Sequence, residues 1–394
     1  MIYRSKESVV LLFWFLLILN AMKPVLDYYV SISSQVVSFV QILLLLIFVT
    51  IFNKNFYRTI NLKAAALLFF VLIKLLYDIL ILMVEGASIF DIVSPIYFVI
   101  RFVILVYLFQ YLVCKKESIK TYLTLRNILL WYFVLTVVYS IMQNKFFFDV
   151  AWIREYGGNI MSSNSLGVHR VNGAIGGTVI AYSNFLLAIA WVLFFTKFKS
   201  INVKIFLIVL FIFSVYLNFS RSLLLALFIM SALSFKLKYA WIYLIPVMVT
   251  IFFWKDLVDL FSTIQGLSDV HRVDNWNKLF VDFSMIDYLF GTHLGATTGL
   301  FVFGGGKVSG DGFIFGLVYD IGIIGLALFL IFIGRVVNSV NINLSSKISI
   351  GLTFLLMLFV NSGTEKIFIL AIYLFSIVIV KNLCEYNQKE EETI

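Results

Sequence analysis

The sequence predicts an all-α polytopic membrane protein with about twelve transmembrane helices, each taking roughly 20 residues to cross the hydrocarbon. Three observations predict it. Of 394 residues, 62% are hydrophobic and only 13% are charged, against about a quarter charged in a soluble domain. The apolar residues come in long runs, and a chain in lipid must satisfy its backbone internally, as a helix does. Basic residues collect in every second connection between those runs. The whole chain, 1–394, reads as one integral membrane domain.

The runs, in order, are Val9–Met22, Val36–Phe52, Ala64–Val84, Ile96–Val113, Ile128–Met142, Gly173–Phe195, Ile205–Phe219, Leu223–Phe235, Tyr239–Trp254, Gly312–Ile333, Ile348–Val360 and Ile367–Val380. The first and eighth are short. Lys23-Pro24 follows the first run where a cleavable signal would place small residues, so that run stays as a helix. With the N-terminus in the cytoplasm, the cytoplasmic segments hold Arg4 and Lys6, then Lys54–Lys63, Lys115–Arg126, Lys197–Lys204, Lys236–Lys238, Arg335–Lys347 and Lys381–Lys389. Those short segments carry more than half of the 30 basic residues. The reverse orientation violates the positive-inside rule in nearly every short loop. The same rule accounts for much of the net charge of +9, so no nucleic-acid partner is expected. Cys114 and Cys384 fall on or near the reducing side and read as free thiols.

Two long connections are left on the outer side, Gln143–Asn172 and Lys255–Asp311. The first carries Trp152, a Gly157-Gly158 turn and His169-Arg170. The second opens with Leu257, Leu260, Phe261 and Ile264 at helical spacing, closed by Gly266. A second amphipathic helix follows, with Ser268 or Asp269 as N-cap and Val273, Trp276, Phe280 and Phe283 as its apolar stripe. The glycine-rich part, Gly291–Gly310, is expected to be irregular. The loop reads as a partly helical lid on one membrane face.

Three arginines stand at or near the outer surface: Arg170 before the sixth run, Arg221 in the turn between the seventh and eighth, and Arg272 in the lid. A guanidinium grips phosphate oxygens bidentately, so three around one cavity would hold a diphosphate. The plain alternative is snorkelling to lipid headgroups. It is weaker for Arg221, which sits in a very short hairpin between Ser220 and Ser222. Inside the runs are Lys74, Asp78, Arg101 and Asp320. Buried ionisable groups pair, and matched depth suggests Asp78 with Arg101 and Lys74 with Asp320, as structural pairs or as the polar floor of a cavity. His169, His271 and His293 have no metal-ligand spacing, and no metal or other cofactor is expected. Gly304–Gly306 followed by Lys307 lacks the spacing of a phosphate-binding P-loop.

The stretches HRVNGAIGG, NFSRSLLLAL, HRVDNWNKLF and SGDGFIFGLVYDIGIIGL, in this order and placement, resemble the O-antigen polymerase (Wzy) and O-antigen ligase superfamily of bacterial polysaccharide assembly. The resemblance covers about Arg170 to Leu328. It implies a fold similar to class C glycosyltransferases and residence in the bacterial cytoplasmic (inner) membrane, with the active site facing the periplasm or cell exterior. It implies an undecaprenyl-diphosphate-linked oligosaccharide as substrate, no metal and no nucleotide sugar, and diphosphate contacts from Arg170, Arg221 and Arg272. A chain-length regulator and a flippase of the same pathway are the implied protein partners. Ligases carry a His where this chain has Val308-Ser309-Gly310-Asp311-Gly312, which favours the polymerase. The general base is then open among Asp311, His271 and His169. Trp152 and Trp276 could stack on sugar rings or anchor at the interface.

In the reaction so implied, a hydroxyl of one lipid-linked repeat unit attacks the anomeric carbon of another chain. Charge develops on the departing lipid diphosphate, where fixed guanidiniums stabilise it, and a carboxylate or imidazole takes the hydroxyl proton. The other classes that this composition admits are an O-antigen ligase, a lipid-glycan flippase or transporter, and a non-catalytic scaffold. A transporter would be expected to show repeat symmetry, and the sequence shows no repeat.

Overall fold

The computed structural model describes residues 3–30, 40–45, 47, 62–87, 89–114, 118–146, 171, 179–218, 220–234, 280–295, 313–340, 342–360 and 367–392. Eleven bounded helices lie among them: α1 Tyr3–Val30, α2 Leu62–Val84, α3 Ile89–Cys114, α4 Ile119–Phe146, α5 Val179–Phe195, α6 Ile201–Asn218, α7 Arg221–Ser234, α8 Met285–Phe290, α9 Phe313–Asn338, α10 Leu344–Val360 and α11 Ile367–Glu392. Residues 40–45 are also helical. Among the described residues there is no strand. Four helices are long and apolar enough to cross a membrane: Ala64–Val84, Ile119–Asn144, Ile201–Asn218 and Ile314–Asn338. Six shorter apolar helices accompany them. The chain is a helical membrane protein. The expected run Tyr239–Trp254 lies outside the described residues.

The centre of the bundle is α5. Every residue from Ala181 to Leu193 has no accessible surface, as expected of a helix apolar on all sides. Helices α4, α6, α7 and α11 pack around it. Its neighbour α11 is nearly as enclosed from Ile369 to Val380. Trp191 of α5 packs 5.0 Å from the Tyr373 ring of α11 and donates to Thr353 Oγ1 of α10 at 3.2 Å. The periphery is the reverse. Helix α2 exposes Phe69, Leu76, Leu80 and Val84, and α6 exposes Phe206, Val209 and Ile212. An exposed apolar belt of this size would aggregate in water and suits lipid.

Most helices run past the bounds expected from sequence, and two of them do so through a proline. Helix α1 runs through Pro24 to Val30, and α3 starts at Ile89, so Pro95 lies inside it. A proline removes one backbone hydrogen bond and breaks helices readily in water, but in lipid there is no solvent to satisfy unwound backbone, and proline is tolerated. The first long connection also starts later than expected, because Gln143–Phe146 continues α4.

The stretch expected to form the lid is described over 280–295, and the name is kept for those residues. Helix α8 is capped by Ser284: its hydroxyl accepts from the Asp287 N–H, and the Asp287 carboxylate accepts from the Ser284 N–H at 2.9 Å. Rings hold this unit to the N-terminal end of α9. Phe283 lies 5.2 Å from Tyr288 and 5.2 Å from Tyr319, and Phe280 lies 6.5 Å from Phe315.

Candidate functional site

Two polar constellations stand out inside the apolar bundle. The first lies where α6 turns into α7. Residue Val171, the one described residue of its stretch, is tied to the end of α6 twice. Its N–H donates to the Leu217 carbonyl at 3.2 Å, and its carbonyl accepts from Asn218 Nδ2 at 3.3 Å. Asn218 in turn accepts from the Ser183 hydroxyl of α5 at 2.8 Å. Val171, Ser183 and Asn218 are all buried at 1% exposure or less. Two residues on, Ser220 opens α7: its carbonyl accepts from the Leu224 N–H at 3.0 Å, and its hydroxyl lies 3.0 Å from that of Ser222. Arg221 is the first residue of α7, and its side chain lies outside the described residues.

Further buried polar contacts line the same halves of α4, α5 and α11. Ser140 donates to Tyr182 Oη at 3.2 Å, and Tyr373 Oη donates to Asn184 Oδ1 at 2.8 Å. Asn184 Nδ2 and Ser376 Oγ are buried without a partner among the described residues. Unsatisfied polar groups cost free energy in a dry core, so this half of the bundle departs from pure packing.

The second constellation sits under the lid. Lys74 and Asp78, one turn apart on α2, form an ion pair at 2.7 Å, with 6% and 0% of their side-chain surfaces accessible. Both also bind backbone of the lid. Lys74 Nζ donates to the Thr292 carbonyl, and Asp78 Oδ2 accepts from the Leu294 N–H at 2.8 Å. His293, between them in the chain, places Nδ1 3.9 Å from Asp78 Oδ1. On the other flank the Thr292 N–H donates to the Tyr319 carbonyl of α9 at 2.8 Å.

This contact needs two glycines. Gly322 has φ +67 and ψ −176 inside α9, which kinks there. Gly291 has φ +78 and ψ 172 at the end of α8. A Cβ on Gly291 would meet the Asp320 carbonyl carbon at 2.5 Å, and one on Gly322 would strike the Leu289 carbonyl. The two backbones therefore pass closer than any side chain allows. Counting 1.5 Å per residue from the helix ends, Asp78 and Tyr319 each lie roughly 9 Å below the lid end of the bundle. The lid thus re-enters the bundle as irregular backbone, which is tolerated at that depth only where protein buries it.

Asp78 is paired with Lys74 along a single helix. The reason is local: residues i and i+4 share a helix face, and closing that pair immobilises fewer elements than bridging two helices. The Arg101 side chain lies outside the described residues, and Asp320 is fully buried beside the kink.

Of the other site residues expected from sequence, Trp152, His169, Arg170, His271, Arg272, Trp276 and Asp311 all lie outside the described residues. Sequence reasoning passed over Asn218 and Ser183, and weighed His293 only as a metal ligand. The signal for Asn218 was present, as an amide at the end of an apolar run. Among the described residues no three His, Cys, Asp or Glu side chains gather as a metal site would require. Compared with known proteins, the chain matches no family model and no curated protein.

Proposed function

We propose that this protein is a membrane glycosyltransferase that polymerises lipid-diphosphate-linked oligosaccharide repeat units. In this reading the chain spans the bacterial cytoplasmic membrane about twelve times, with both termini inside, and the reaction takes place beneath the outer lid. The observation that carries it is the junction of Val171 with Leu217 and Asn218. Arg170 precedes Val171 in the chain, and Arg221 follows Asn218 by one short turn. The two arginines that the sequence marks as diphosphate ligands thus flank one hydrogen-bonded junction, although 51 positions separate them in sequence.

A guanidinium pair at such a junction would hold the diphosphate as it leaves, and fixed donors in a low-dielectric site stabilise that charge without reorganisation. The acceptor hydroxyl would lose its proton to Asp311, His271 or His169. The lid, anchored at Thr292 and Leu294, would close over the sugars, with Trp152 and Trp276 as stacking surfaces. No metal or nucleotide is required, because the lipid diphosphate is already an activated leaving group.

The test is reconstitution of purified protein with a synthetic lipid-linked repeat unit. A ladder of products is expected. An ammonium does not replace a bidentate fork, so Arg170→Lys and Arg221→Lys at matched folded amounts should each lower turnover by about 10²-fold. Near-normal polymerisation by both variants overturns the assignment. Attachment of ready-made polymer to a lipid acceptor, with no ladder, would make the protein a ligase.

A further inference from the structure

At the end of the bundle opposite the lid, a buried cation has no counter-ion among the described residues. Arg126 sits on α4, seven residues from its start. It is 8% exposed. Its Nη1 donates to the Lys197 carbonyl at 2.8 Å, in the turn between α5 and α6. Its guanidinium carbon lies 4.7 Å from the centre of the Phe198 ring, and Lys204 Nζ of α6 lies 5.8 Å from the same ring. Two cations thus share one aromatic ring. Arg126 Nε is buried with no partner among the described residues.

No carboxylate neutralises this corner among the described side chains. Those are Asp78 and Glu85 on or just after α2, Asp282 and Asp287 in the lid, and Asp320 near the N-terminal end of α9. Around the corner the sequence adds Lys120, Lys197 and Lys199, all exposed. A guanidinium taken out of water without an anion is costly. The ring, one carbonyl and a long contact from Nη2 to Asn127 Oδ1 at 3.5 Å offset only part of that cost.

The place of the corner says which anion can reach it. Arg126 and Lys204 belong to two of the helices long enough to cross the membrane, Ile119–Asn144 and Ile201–Asn218. Both lie within the first two turns of those helices, at the level where lipid headgroups stand. We propose that Arg126 and Lys204 form a binding site for the phosphate diester of an anionic phospholipid, in the leaflet on the side away from the lid. Lys204 Nζ and the part of the Arg126 guanidinium that stays accessible donate to the phosphate oxygens, and Phe198 fixes the spacing of the two cations. The surrounding lysines select a headgroup of net negative charge, because they repel a choline. The site is independent of the reaction proposed above.

Native mass spectrometry of the full-length protein in detergent tests the site with three probes: dioleoyl phosphatidylglycerol, dioleoyl phosphatidylcholine and inorganic phosphate. Binding of phosphatidylglycerol in preference to both others is expected. Each basic contact to a lipid surface contributes enough to change affinity roughly fivefold, so Arg126→Gln and Lys204→Gln should each weaken phosphatidylglycerol by about that factor or more. Arg335→Gln removes one charge from the last turn of α9 and should leave the affinity unchanged. If Arg126→Gln does not fold, Lys204→Gln, a partly exposed position in the first turn of α6, decides the matter alone. Equal binding of phosphatidylglycerol and phosphatidylcholine overturns the proposal, as does an equal loss in Arg335→Gln, which would mean diffuse surface attraction. Saturable inorganic phosphate binding that blocks the lipid would make the site one for free phosphate.

Discussion

Replacing Gly322 with alanine tests whether the lid is held inside the bundle by backbone proximity. At φ +67 and ψ −176 the residue occupies a region that only glycine adopts freely, and an alanine there costs about 1–3 kcal/mol. The new methyl would also strike the Leu289 carbonyl of α8, and overpacking of that kind costs about 1–3 kcal/mol more. The total, about 2–6 kcal/mol, falls on one local contact. The atoms nearest the new methyl all belong to Leu289 and Phe290, so helices α5 and α11 should not feel it. The expected result is therefore release of the lid, with the bundle intact. Deuterium uptake by peptides covering 285–295 should rise, because the Thr292 and Leu294 amides lose the Tyr319 carbonyl and the Asp78 carboxylate. A loss of 2 kcal/mol corresponds to about 30-fold in protection. Gly334→Ala is the control on the same helix. Its Cβ meets nothing within 4 Å, and alanine should stabilise the helix by up to about 1 kcal/mol. Gly291→Ala combined with Gly322→Ala should cost less than the sum of the two, because both separate the same two segments. Unchanged uptake in Gly322→Ala would refute the docking.

The ion pair on α2 should behave as a unit: Lys74→Met leaves the Asp78 carboxylate buried and unpaired and should cost about 3–5 kcal/mol, while adding Asp78→Asn should recover part of the loss in thermal unfolding. The α8 cap should weaken in acid. Hydrogen bonds from the Ser284 hydroxyl and then from its N–H hold the Asp287 carboxyl below its ordinary value. The stabilisation is therefore complete above the ordinary aspartate range near pH 4 and fades as the pH falls through the lowered value. Amide exchange in 285–290, measured down the acid range, should show this, and Ser284→Ala, which removes the hydroxyl and keeps the N–H, should reduce the pH dependence without abolishing it.

How much of this was legible in the sequence depends on whether the determinant was local. The run Ala64–Val84 is the membrane-crossing part of α2, residue for residue, because hydropathy alone sets where a helix can lie in lipid. The capped helix α8 was also written locally, as Ser284 with Asp287 and a closing Gly291. It was passed over because it is very short and falls between a helix expected to reach Phe283, where the chain has left helix after Phe280, and the glycine-rich stretch from Gly291. The extensions of α1 and α3 through proline were illegible by rules that hold in water.

The lid anchor was illegible for a different reason. A lysine and an aspartate in an apolar run announce that they have partners, and the spacing of Lys74 and Asp78 contains one answer. The rest of their bonding goes to main-chain atoms of Thr292 and Leu294, more than 200 positions away. Main-chain donors and acceptors exist at every residue, so no side-chain pattern singles them out. What does single them out is the pair of glycines that lets the backbones meet, and a glycine shows its purpose only when its neighbour across the gap is known. The buried cation at the other end obeys the same logic in reverse. Arg126 was read as one of many orienting charges, and only the fold reveals that it is enclosed and stacked on Phe198, with no acceptor for its Nε among the described residues. A charge count fixes which way such a chain faces, and the charges that the fold leaves uncompensated mark where it is to be met by something else.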